Sequence, residues 1–144
     1  MTRPPPPQAT SSQDYLSDAG PRLADLCTAC GACFVACPMV DVIGLRGTDA
    51  GAVTDGLRLL ARGEAGPDEA VKWAGACAKS GLCIAACPQR DAGLDAMLLV
   101  RIARQRAIND THQLGAKGDP LAFPRVKVFA RLQLTDEEQK RWLE

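Results

Sequence analysis

The chain has a single histidine, no glycine-rich phosphate loop, no long apolar run and no excess of charge of either sign. Each lack removes a class of function. With 17 basic and 17 acidic residues the formal charge is zero, so there is no electrostatic footprint for nucleic acid. No apolar stretch approaches the roughly 18 residues that a membrane-spanning helix needs. The opening residues, M-T-R-P-P-P-P-Q, lack the apolar core of a secretory signal. No Cys–His or Ser–His pair sits in a supporting motif, so no catalytic site of the chain's own is expected. Nothing around His112 repeats a ligand spacing, and it reads as a surface residue.

What the chain does have is seven cysteines, in two groups. Cys27 to Cys37 reads C-T-A-C-G-A-C-F-V-A-C and is followed at once by Pro38. Gaps of two, two and three residues closed by Cys-Pro form the bacterial iron–sulfur ligand run. Two-residue gaps let the backbone curl round a cluster with its N–H groups inward, and Gly31 suits a close approach or a positive φ. The fourth thiol points away and, in two-cluster proteins, ligates the other cluster.

The second group, Cys77-A-K-S-G-L-Cys83-I-A-A-Cys87-Pro88, aligns on the first. Cys77, Cys83, Cys87 and Pro88 match Cys27, Cys33, Cys37 and Pro38, and Gly81 matches Gly31. Only Cys30 has no thiol counterpart, because Ser80 stands there. Crossing the fourth thiols gives two unequal sites. Cys27, Cys30, Cys33 and Cys87 make a four-thiolate site suited to [4Fe–4S]. Cys37, Cys77 and Cys83 make a three-thiolate site suited to [3Fe–4S], or to [4Fe–4S] whose fourth ligand is an oxygen, such as that of Ser80, or an external group. An odd number of thiols at ligand spacing, with no secretory signal, points to a reducing cytoplasm rather than to a disulfide scaffold.

Around these motifs the pattern is helical. Residues 1 to 21 are expected to be a flexible Pro-rich tail, with the Pro4–Pro7 run extended. Tyr15, Leu16, Leu23 and Leu26 suit a short helix with Pro21 in its first turn. Val53, Leu57, Leu59 and Leu60 make an apolar side that stops at Gly63. Gly66-Pro67-Asp68-Glu69 opens another helix that carries Trp73, a core residue, into Cys77. Leu94, Met97, Leu98, Ile102 and Ile108 mark a longer helix over about 92 to 109, with Arg101, Arg104 and Arg106 at its solvated basic end. No hairpin signals intervene, so the expected class is all-α. After Gly115, Gly118, Pro120 and Pro124, the alternation of Val126, Val128, Ala130, Leu132 and Leu134 is strand-like. Thr135 to Glu138 is then a capping box for a last short helix. Residues 113 to 144 therefore read as an extended arm that carries little a compact cluster domain needs, and that either lies on its own domain or adds to a partner subunit.

The two cysteine motifs, the helical spacer and the long helix after them resemble the alpha-helical ferredoxin domain over about residues 22 to 112. That domain occurs in the iron–sulfur subunit of succinate dehydrogenase and fumarate reductase and in the small iron–sulfur subunit of heterodisulfide reductases. The resemblance implies an all-helical dicluster domain. It also implies a [3Fe–4S] cluster on Cys37, Cys77 and Cys83 beside a cube on Cys27, Cys30, Cys33 and Cys87. No plant-type [2Fe–2S] domain precedes the motif. The size is nearer to that of the heterodisulfide reductase subunit, which usually completes both motifs.

Three functions follow as expectations. The first is an electron-transfer subunit of a multi-subunit oxidoreductase, with substrate chemistry on a flavoprotein or cysteine-rich redox partner. It would be cytoplasmic, with any membrane association going through that partner. The second is a free, diffusible dicluster ferredoxin. The third is a zinc-binding interaction module, for which the run of four thiols before proline is the wrong spacing.

Overall fold

The computed structural model describes residues 11–108 and 119–143, and among these there are helices and turns but no strand. The all-α expectation is met. The Pro4–Pro7 run, His112, Gly115 and Gly118 lie outside the described residues.

The first helix, α1 (Ser12–Leu26), starts where the Ser11 hydroxyl accepts the Asp14 N–H at 3.2 Å. Residues 12–21, expected in the tail, are thus helical, and Leu16, Ala19 and Gly20 are buried. Pro21 lies inside this helix rather than in its first turn, so it cannot donate to the Ser17 carbonyl. The Leu16 carbonyl, one residue earlier, accepts a separate bond from Arg106 Nη1 at 2.8 Å, from a helix far along the chain. Arg106 is thus a cross-brace and not the solvated residue expected.

Two short helices, α2 (Ala32–Ala36) and α3 (Met39–Val42), follow the first cysteine loop. Helix α4 (Ala50–Ala61) is capped by Asp49, whose carboxylate accepts the Ala52 N–H. It buries Val53, Leu57 and Leu60. It closes where Gly63 N–H reaches the Leu60 carbonyl and Glu64 N–H the Leu59 carbonyl, the paired closure of a Schellman end. Helix α5 (Asp68–Gly75) has Pro67 as its N-cap rather than as its first helical residue, so it starts one residue later than expected. Its Trp73 is 2% exposed and meets the Phe34 ring edge-on at 5.2 Å. After the second loop come α6 (Leu82–Ala86), a 3₁₀ turn at Arg90–Ala92, and α7 (Ala96–Ile108). Asp95 caps α7 by accepting the Leu98 N–H. Helices α1, α4, α5 and α7 pack as a bundle, and α2 and α6 pair with each other beside it.

The C-terminal arm is where the structure departs most from the sequence reading. Val126 to Gln133 belong to helix α8 (Ala122–Gln133), not to a strand. Pro124 falls in its first turn, where the missing N–H breaks no helical bond. The capping box is present: Thr135 Oγ1 accepts the Glu138 N–H at 3.2 Å, and Glu138 Oε1 accepts the Thr135 N–H at 3.4 Å. Helix α9 (Asp136–Leu143) follows.

The contact of α1 with α4 depends on the absence of a side chain at Gly20, where a Cβ would overlap the Ala61 carbonyl oxygen. Gly to Ala inside a helix ordinarily stabilises by about 0.5–1 kcal/mol. Here overpacking of about 1–3 kcal/mol outweighs that gain. Gly20→Ala is therefore expected to lower the thermal midpoint of the full-length protein, followed by far-ultraviolet circular dichroism. A raised midpoint would show that α1 does not pack on α4 in this register.

Candidate metal centres

The two cysteine loops have the same backbone. Ala29 and Lys79, two residues after the first thiol of each, have φ of 56° and 58°, left-handed values that few non-glycine residues adopt. Gly31 and Gly81 have φ of 84° and 77°. The Ala29 N–H points at Cys27 Sγ and the Lys79 N–H at Cys77 Sγ, both at 3.4 Å. Each loop then enters a five-residue helix, α2 or α6, whose C-cap is the last thiol of the motif, Cys37 or Cys87, in extended conformation. Pro38 and Pro88 come next. The same succession of positive φ, glycine and short helix is thus repeated, and the paired α2 and α6 relate the copies.

This arrangement sorts the thiols into two small cavities. The first is lined by Cys27, Cys30 and Cys33 of the first motif and by Cys87 of the second. The second is lined by Cys77 and Cys83 with Cys37 of the first motif, and by Ser80. The prolines cross with their thiols: Pro88 faces the first cavity and Pro38 the second. Helix α7 separates the two, giving Ala96 and Leu99 to one wall and Met97 and Val100 to the other.

Burial sets the protonation state of the thiols. Cys33 is pushed up to about 12, first by desolvation and then by the charges of Cys27 and Cys83. Cys83 is pushed up to about 11 by desolvation and by Cys77 and Cys37. Cys27 and Cys77 are raised by burial too, against the opposing pull of the Ala29 and Lys79 N–H groups. Arginines add to that pull, Arg58 at Cys27 and the pair Arg101 and Arg104 at Cys77. A buried thiol is a poor thiolate by itself, and a bound metal has to displace its proton.

The donor sets fit iron–sulfur clusters. Four thiols line the first and three thiols with Ser80 the second, and each has a backbone N–H on a ligand sulfur; the remaining walls are mainly apolar, with Thr28, Gln89 and Thr54 on the first, Thr54 turning its hydroxyl to the Ala50 carbonyl at 2.8 Å. Among the described residues, no three or more His, Cys, Asp or Glu side chains converge on one ion position. Residues 23–91 match the family model of the 4Fe-4S dicluster domain. The match supports an iron–sulfur, ferredoxin-like domain over this segment. Comparison with curated proteins and with solved structures gives no match. Among the described residues no helix is long and apolar enough to cross a membrane.

Sequence reasoning missed Ala29 and Lys79, whose left-handed backbone has no signature in their side chains. It also missed Thr54, Leu57 and Leu94 as walls of the first cavity. Trp73 is a core residue, as expected, and at the same time a wall of the second cavity.

The grouping generates a direct test of ligation across motifs. Cys87→Ser is expected to destroy the cluster on Cys27, Cys30 and Cys33 and to spare the one on Cys77 and Cys83, although Cys87 lies in the second motif. Iron content and low-temperature electron paramagnetic resonance read this out. Loss confined to the Ser80 site would mean that each motif serves its own cluster.

Proposed function

We propose that this protein is the electron-relay subunit of a multi-subunit oxidoreductase. Its role would be similar to that of the small iron–sulfur subunit of heterodisulfide reductases or the iron–sulfur subunit of succinate dehydrogenase. The observation that carries the reading is the pair of thiol-lined cavities set on either side of α7. In it, Cys27, Cys30, Cys33 and Cys87 hold a [4Fe–4S] cluster, and Cys37, Cys77 and Cys83 hold a [3Fe–4S] cluster. Bound clusters supply one-electron exchange at potentials set by nuclearity, charge, sulfur hydrogen bonds and exposure. The chain supplies the rest. Its loops fix the thiols, its apolar walls keep water off the sulfurs, and α2 and α6 hold the stations side by side. Exposed Cys30 leaves the first station open to solvent at one corner.

Ser80 distinguishes the stations. Its hydroxyl is near the Leu82 N–H, 3.4 Å away, as expected of a residue satisfied by its own loop. A hydroxyl must lose a proton of much higher pKa than a thiol to bind iron, so serine is the weaker ligand. The reading favours three irons at this site and a different potential from its neighbour's.

Partner docking is favoured over free diffusion by the outer face of α8. Phe123, Val126 and Phe129 are 56%, 54% and 45% exposed there. Together with Ala78 of the second thiol loop they line an apolar groove of about 640 Å³. A freely diffusing carrier gains nothing from such a patch, whereas a subunit interface would cover it. The partner in this reading is a flavoprotein or cysteine-rich redox subunit in the cytoplasm. Zinc is disfavoured by the family match.

Two outcomes are expected. Anaerobic purification of the full chain from its own cells should recover a redox subunit in near-equal amount. Recovery as a lone monomer that exchanges electrons with unrelated carriers would mark a free ferredoxin. Air-oxidised protein should give about seven irons per chain with a three-iron signal, and Ser80→Cys should add a second [4Fe–4S] in its place. Two intact cubes in the unaltered protein, insensitive to Ser80→Ala, would require a fourth ligand from outside the chain.

A further inference from the structure

Each cysteine loop is entered from a helix C-terminus, and in both cases an arginine from a different helix binds a carbonyl of that terminus. At the end of α1, Arg58 Nε donates to the Ala24 carbonyl at 3.0 Å, three residues before Cys27. Near the end of α5, Arg125 Nη2 donates to the Gly75 carbonyl at 2.6 Å, two residues before Cys77. The carbonyls of a helix's last turn lack intrahelical partners, so a cation there both satisfies them and meets the negative end of the dipole. The far side of each guanidinium is held by an aspartate: Asp55 for Arg58, at 3.2 Å, and Asp119 for Arg125. Asp119 is itself fixed by the Leu121 N–H at 2.9 Å. Arg125 is 6% exposed, an unusual depth for a guanidinium and one reached only with its partners in place.

We propose that Arg58 and Arg125 are paired positioning residues, each clamping the helix end that delivers the first thiol of one site. Arg58 acts on the Cys27 site and Arg125 on the Cys77 site. The clamp on the second site comes from α8, so the C-terminal arm houses that site as well as offering its outer face to a partner. Val128, buried beside Arg125 on the same helix, seats the arm on the body. Ala78, one residue past Cys77, faces both the α8 groove and the second cavity, which brings arm and thiol loop into contact.

The inference rests on the iron–sulfur reading for its redox readout, and the two can fail separately. In full-length, cluster-loaded protein, Arg125→Met keeps the apolar stem and removes the clamp. The expected result is a several-fold faster loss of iron from the Ser80 site on exposure to air, with a shifted potential there and an unchanged signal from the four-thiolate cluster. Arg58→Met should do the reverse. Arg125→Lys, which can reach one carbonyl but not fork to Asp119, should restore part of the loss. Hydrogen exchange gives a readout independent of metal: Arg125→Met should speed exchange over residues 76–83 and leave 27–33 as before. Either variant affecting both sites equally, or neither affecting any, would overturn the paired clamps. If the unaltered protein holds no cluster, the relay reading fails, and the exchange pattern alone decides the clamps.

Discussion

Everything in this fold depends on the exchange of one thiol between two loops. Cys87 closes the cavity built by the first motif and Cys37 the one built by the second, so neither motif forms a site alone. For the exchange to work, α2 and α6 must lie together, and the bundle of α1, α4, α5 and α7 is what holds the loop entrances in register. The thiols are also a burden without a metal. Burial raises Cys27, Cys33, Cys77 and Cys83 above the ordinary thiol range, so the cavities alone are lined with desolvated S–H groups that make few hydrogen bonds. Binding iron would replace those protons and join loops distant in sequence, which would couple cluster assembly to folding.

The site was legible where side chains carry the signal. Cysteine spacing, the Cys-Pro closures, Gly31 and Gly81, and the mismatch of Ser80 with Cys30 could all be read directly. So could the helical spacer, since Val53, Leu57 and Leu60 keep helical period and face the core. The failures have a common cause. Helix α8 reads as alternating because its apolar residues serve two surfaces: Val128 turns inward with Arg125, while Phe123, Val126 and Phe129 turn outward. A period of 3.6 is visible only when one face is apolar and the other polar. A buried arginine further disguises the inward face. Likewise Pro21 suits the start of a helix, yet α1 begins at Ser12 and holds the proline in its interior because the helix is packed against α4 and α7. Such tertiary compensation leaves no local trace.

The duplication is close in the backbone and loose in its surroundings, and the surroundings are where two equal loops become unequal sites. Gly31 lies against helix α4, with a Cβ there falling 2.6 Å from that of Ala50, whereas a Cβ at Gly81 would meet nothing nearer than Ile84, 3.9 Å away. The first loop is therefore buttressed by the bundle itself. The second is not held in this way at Gly81, and it is this loop that carries Ser80 and borders α8 through Ala78.

That asymmetry gives the appended arm a physical reason. A loop with three thiols would gain one metal–ligand bond fewer than its twin. Without other support it would be the weaker half, with iron leaving and the backbone around Lys79 relaxing from its left-handed conformation. An outside helix anchored through a buried arginine at Gly75 supplies rigidity at the entrance of that loop, where the first half relies on Arg58 of its own bundle. The same helix presents its apolar side outward, so a partner seated on Phe123, Val126 and Phe129 would also press on the clamp. In the proposed relay, partner contact and the environment of the second station would then be mechanically joined, through one helix of twelve residues.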